Sequence, residues 1–251
     1  MATPADIVER ALMPAELAER MPHARLLLSD EPQMESPEHD EQLALLTSTL
    51  QWAWRERSGF FIGANLSIYY DRNELTRRRF CGPDLFVVNA AEPAKRNSWV
   101  VWEEGGRYPD LIIELLSNST AATDRNGKKR LYQDVFRTPE YFWFHPITLE
   151  FEGFRLSAEH RYEPIPPDAS GHRLSEALQM RLGVHERQLR FFDLDGALIP
   201  TPAESALQEQ AKAEAQRQIA EAERTRADAE RQRADALAER LRAAGLDPGE
   251  K

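Results

Sequence analysis

The chain has 251 residues, enough for one domain of roughly 150–200 residues and an appendage. Lys and Arg number 32 against 42 Asp and Glu; the resulting charge of −10 argues against non-specific coating of nucleic acid, but not against a local basic patch around acidic ligands. No apolar run approaches the roughly 18 residues that span a bilayer, charged side chains from Asp6 to Arg20 interrupt any secretory core, and the single Cys81 cannot form an internal disulfide, so a cytoplasmic protein with no membrane association is expected.

Residues 1–29 read as an N-terminal extension and 30–200 as one folded domain. Ser36-Pro37 closes an acidic stretch as an N-cap and first helical residue. Leu43, Leu46, Leu50 and Trp54 then recur at three- and four-residue intervals, opposite Gln42, Ser48 and Arg55, and predict an amphipathic helix. From Ile62 to Tyr69 the pattern alternates, as in a strand with one buried face. A polar loop through Arg77-Arg78-Arg79 leads to Gly82-Pro83 and a second strand beginning at Asp84.

After Gly105-Gly106, the run Leu111-Ile112-Ile113-Glu114-Leu115-Leu116 has the continuous apolarity of a central strand, broken by one carboxylate. Asp124 can cap a helix with Lys128, Tyr132 and Phe136 along one stripe, ended by Pro139 and followed by an aromatic strand from Tyr141 to His145. Hairpins are expected around Glu150–Phe154 and around Asp195-Gly196. The fold class is α/β (α+β) in the order helix, three strands, helix, strand.

Thr201-Pro202-Ala203-Glu204 has the form of a capping box, and no glycine or proline follows until Gly245, so one charged helix should span 201–244, with 245–251 as a tail. Ala206, Ala213, Ala220, Ala227, Ala234 and Leu241 fall at seven-residue spacing. The companion lane carries Glu209, Gln216, Glu223 and Glu230, which specifies a coiled coil, and a homodimer formed through it, only weakly.

Glu114 is the most informative residue, because an ionised carboxylate between Ile113 and Leu115 costs several kcal/mol unless something balances it. A buried ion pair or a protonated acid is the plain explanation. Asp84 changes the weighting: at the mouth of the preceding strand it can meet Glu114 if the strands are neighbours, and paired carboxylates suit Mg²⁺. Lys128 opens the next helix, from which its ammonium can return to both. The five tryptophans, Trp52, Trp54, Trp99, Trp102 and Trp143, read as packing rather than base stacking.

Gly82-Pro83-Asp84-Leu85-Phe86-Val87-Val88, Pro109-Asp110 through Ser117, Asp124 followed by Lys128 and Tyr132, and Glu140-Tyr141 together resemble the Uma-two family. These are restriction-endonuclease-like domains of the PD-(D/E)xK nuclease superfamily. The resemblance covers roughly residues 30 to 200. It implies an αβββαβ core and an endonuclease (a hydrolase) acting on nucleic acid, DNA above RNA. Asp84, Glu114 and Lys128 would be catalytic, with Asp84 and Glu114 holding Mg²⁺, for which Mn²⁺ can substitute.

Leu116 stands where the simplest superfamily pattern has its lysine, and Lys128, on the following helix, fills that vacancy. His145-Pro146 replaces the family's common Asp-Pro. Arg77, Arg78 and Lys129 are weaker candidates for phosphate contacts, against a solvated loop, and His39 and Tyr132 for accessory roles, with surface or capping duty the plainer reading of His39. The competing function is an inactive nuclease-fold module that dimerises or docks through its C-terminal helix.

Overall fold

The computed structural model describes residues 36–71, 80–92, 94–117 and 127–244. The chain divides into two units, one ending at Ile199 and the other beginning at Pro200. In the first, helix α1 (Pro37–Ala53) starts where Ser36 accepts a hydrogen bond from the His39 N–H and Pro37 occupies the first turn beside Glu38 and Asp40. Leu43, Leu46 and Leu50 face the core, with Trp54 just after the helix, as their spacing predicts. Gln42, expected on the opposite face, is buried: its amide donates to the Leu189 carbonyl and accepts from the Leu189 N–H, both at 3.0 Å.

Eleven strands follow among the described residues: β1 (Phe60–Ala64), β2 (Ile68–Tyr69), β3 (Leu85–Asn89), β4 (Trp99–Val100), β5 (Leu111–Leu115), β6 (Glu140–Phe144), β7 (Phe151–Leu156), β8 (Tyr162–Pro164), β9 (Arg173–Ser175), β10 (Met180–His185) and β11 (Gln188–Phe192). Six form a mixed sheet in the order β1-β3-β5-β6-β7-β8. Within this sheet only β5 and β6 pair in parallel; the other neighbours are antiparallel. The parallel pair is joined across helix α2 (Lys129–Leu131), which continues as a π-helical turn through Phe136 and stops where Arg137 turns left-handed at φ 52°. Setting aside the two-residue strands β2 and β4, the sequence of elements through β6 is αβββαβ, as expected.

The single strand expected from Ile62 to Tyr69 is broken. Asn65 adopts φ 52°, a conformation asparagine tolerates better than most residues, and its N–H bonds the Asp84 carbonyl at 2.8 Å. The chain thereby leaves the main sheet, and β2 pairs with β4 instead.

Both faces of the main sheet are covered, which explains why β5 is buried at every position. Leu111, Ile113 and Leu115 pack with α1 and with residues of the small β9–β11 sheet, whereas Ile112 packs with Tyr132, Phe136 and Trp99. Close approach across the strands requires glycine: a Cβ on Gly153 would lie 2.4 Å from Cε1 of Phe142. Trp54, Trp99 and Trp143 are core residues.

The hairpin expected near Glu150 is β6–β7, and His145 closes its turn: Nδ1 accepts from the N–H groups of Ile147 and Thr148 at 3.3 and 3.4 Å. Near Asp195-Gly196 there is a turn with a single bridge between Phe192 and Leu198. The principal hairpin, β10–β11, turns at Glu186-Arg187, both with positive φ.

The second unit holds helix α3 (Pro202–Ala243), one helix of 42 residues. Its capping box is complete: Thr201 Oγ1 accepts from the Glu204 N–H, and Glu204 Oε2 accepts from the Thr201 N–H. No residue of α3 is buried. Asp124, Gly245, Pro248 and the extension 1–29 lie outside the described residues. No helix among the described residues is long and apolar enough to cross a membrane.

Candidate active site

Antiparallel pairing of β3 with β5 matches Leu85 to Ile113, so the next step outward sets Asp84 beside Glu114. Asp84 is anchored there by its own carboxylate, whose Oδ2 accepts from the Leu115 N–H at 2.6 Å. Its Oδ1 lies 2.9 Å from Nε2 of His39, on the first turn of α1. The two side chains are 17% and 11% exposed, a site open at its rim.

Glu114 is fully buried. Two side chains one helical turn apart bond it: Lys128 Nζ lies 3.2 Å from Oε2, and the Tyr132 hydroxyl donates to Oε1 at 2.5 Å. Lys128 also donates to the Gly82 carbonyl at 3.0 Å, bridging the loop before β3 and the strand β5. Behind the phenol, Sγ of Cys81 lies 3.2 Å from the Tyr132 oxygen. The phenol has one proton and gives it to Glu114, so the thiol is the donor in that contact. Burial above all, with Cys81 and Glu114 adding to it, holds the Tyr132 phenol well above its ordinary pKa, and it stays protonated.

Asp84, Glu114 and Lys128 are thus brought together, with His39 and Tyr132 around them. His39 is buried against Asp84, and its backbone N–H donates the cap bond to Ser36. Lys129 points elsewhere: its ammonium lies 3.2 Å over the Phe154 ring, and burial lowers its pKa against the pull of Glu152. Arg77 and Arg78 lie outside the described residues.

A second buried carboxylate, Glu140, had no role in the sequence reading beyond the family motif. It accepts from Arg155, from the Ser175 hydroxyl and from the N–H groups of Glu176 and Ala177, binding β6 to the small sheet. The Ser175 hydroxyl and the two backbone N–H groups are fixed donors of the scaffold, and Arg155 is 36% exposed. Glu114 has no backbone N–H among its described donors; it is bonded by the buried Tyr132 and by Lys128, 27% exposed at a rim shared with Asp84.

A mixed sheet in αβββαβ order, with two acids converging at the ends of adjacent strands and a lysine arriving from the next helix, defines a restriction-endonuclease-like domain. The chain belongs to the Uma2 family, whose description is "Putative restriction endonuclease" and whose model matches residues 26–185. Among solved structures, the chain is similar to one titled "a putative nuclease belonging to DUF820" from Anabaena variabilis ATCC 29413, at 14% identity and a TM-score of 0.44, over 59% of this chain and 76% of that one. No curated protein matches it.

Proposed function

We propose that the chain is a Mg²⁺-dependent endonuclease that hydrolyses phosphodiester bonds in DNA, with Mn²⁺ able to substitute. The observation that carries this reading is the meeting of three residues distant in sequence: Asp84 bonds the peptide N–H next to Glu114, and Lys128 bonds Glu114 itself. The donor chemistry fits the metal. Mg²⁺ takes hard oxygen ligands, is held through one or two carboxylates, and fills its other positions with water and phosphate oxygens, so it needs no closed protein cage. Among the described residues, no group of three or more His, Cys, Asp or Glu side chains forms one.

Asp84 and Glu114 would hold the ion, which when bound neutralises the scissile phosphate and acidifies water. The chain's own contribution is placement and charge. The Leu115 N–H fixes one oxygen of Asp84, and His39 holds the other within the rim of the site. Lys128, at 27% exposure on a flexible stem and already beside Glu114, would reach a phosphate oxygen and stabilise the charge developing there.

The test is cleavage of plasmid and single-stranded DNA and of RNA by purified protein with Mg²⁺ or Mn²⁺. Asp84→Asn and Glu114→Gln should abolish cutting, and Lys128→Met should reduce it by about 10²–10³-fold. Equal cutting by the wild type and the two carboxylate variants overturns the site. Binding of DNA without any cutting assigns the chain to the inactive-module reading instead.

A further inference from the structure

The two oxygens of Glu114 are gripped unequally. Tyr132 is fully buried, wedged between the rings of Phe136 and Tyr141 at centroid distances of 5.5 and 5.4 Å, with the Cys81 thiol behind it. It cannot turn from Oε1 without opening the core. Lys128 is partly exposed, reaches Oε2 at the longer distance of 3.2 Å, and has the Gly82 carbonyl as a second acceptor. A glutamate's last torsion is broad and nearly unrestrained, so the plane of a buried carboxylate is set by whichever donor is itself immobile. A 2.5 Å bond from a phenol is at the short end of the range for a hydroxyl bonded to a carboxylate.

We propose that Tyr132 is a positioning residue: it occupies Oε1 permanently and fixes the plane of Glu114, leaving Oε2 as the oxygen that Lys128 surrenders to an incoming divalent cation. The cation half of this statement rests on the metal-site reading above; the orientation half does not. Of these two donors, a helical turn apart, Tyr132 is the permanent one and Lys128 the exchangeable one.

The experiment compares crystal structures and Mn²⁺ calorimetry for the full chain and three variants, Tyr132→Phe, Lys128→Met and Tyr162→Phe. Tyr162 serves as the structural control, because its hydroxyl donates to the Thr138 carbonyl and not to the site. In Tyr132→Phe the Glu114 carboxylate should rotate or split into two positions and Mn²⁺ affinity should fall about 10- to 100-fold. In Lys128→Met and Tyr162→Phe the Glu114 carboxylate should stay in place.

A carboxylate unmoved in Tyr132→Phe, or displaced by loss of Lys128, overturns the proposal. If Tyr132→Phe does not fold, Lys128→Met decides alone by the same criterion. Wild-type protein that takes up no Mn²⁺, while Glu114 still moves in Tyr132→Phe, removes the metal reading and leaves the positioning role standing.

Discussion

Two buried glutamates give opposite forecasts for the same substitution. Glu140 accepts four bonds, two of them from the backbone: Oε1 from the Arg155 guanidinium at 3.0 Å and the Glu176 N–H at 2.8 Å, and Oε2 from Ser175 at 2.5 Å and the Ala177 N–H at 3.3 Å. Glu140→Gln puts an amide NH₂ against part of this set, loses the charge that Arg155 balances, and strands at least one buried N–H. Breaking a buried pair in this way costs about 3–5 kcal/mol. At Glu114 the amide oxygen can keep the Tyr132 bond, and Lys128 can swing toward water while retaining Gly82.

Glu114→Gln loses the Lys128 ion pair and weakens the Tyr132 bond, charge-assisted bonds of about 1.5–3 kcal/mol each, and relief from burying a full charge offsets part of this, so the net cost is about 1–3 kcal/mol. Urea unfolding at neutral pH measures both variants, with DNA cleavage assayed in parallel. Glu140→Gln should shift the midpoint further than Glu114→Gln, and only Glu114→Gln should abolish cutting. Equal destabilisation by the two would make Glu114 a scaffold anchor like Glu140, and the reasoning about the site would fail.

Three further outcomes are expected. Gly153→Ala should prevent folding or lower the melting temperature sharply in a thermal scan, because its methyl would meet the Phe142 ring inside a closed core. Asp168 has its pKa lowered, first by the His172 N–H and also by the Ser170 N–H and Arg181. A depressed acid stabilises the fold above its unfolded pKa and loses that contribution as pH falls through the folded value. The stability gap between wild type and Asp168→Asn should therefore be present at neutral pH and close below about pH 4. If α3 mediates a homodimer, light scattering should count two chains per particle for the full chain and one when residues after Pro200 are deleted; an unchanged number of chains refutes the dimer.

What could be read from the sequence was whatever a local rule enforces. Glu114 stood out because nothing else in Leu111–Leu116 is polar, and the α3 boundaries followed from a capping box whose hydrogen bonds are present. The β10–β11 hairpin was missed because Glu186 and Arg187 turn with positive φ without the glycine or asparagine that usually marks such a turn. Asn65 broke a strand whose alternation ran on unchanged in the sequence. His39 carried a signal that deserved more weight: it precedes Leu43 by four residues and shares the buried stripe of α1. Glu140 and Gln42 find partners more than thirty positions away, and no local pattern records such pairs.

The double bond between Gln42 and Leu189 reaches further than its own two residues. β11 is an edge strand, and the glutamine amide satisfies the N–H and carbonyl of one of its residues as a neighbouring strand would, blunting that stretch against strand addition. Apolar contacts let a helix slide or roll by fractions of a turn at little cost, but an amide bonded at both ends does not. Gln42 lies three residues from His39 on the same helix, so the bond that seals the small sheet also sets the rotation at which the imidazole meets Asp84. The small sheet is thus a gauge for the site, and Gln42→Leu, although apolar and similar in size, should let the imidazole drift from Asp84 while the core stays filled.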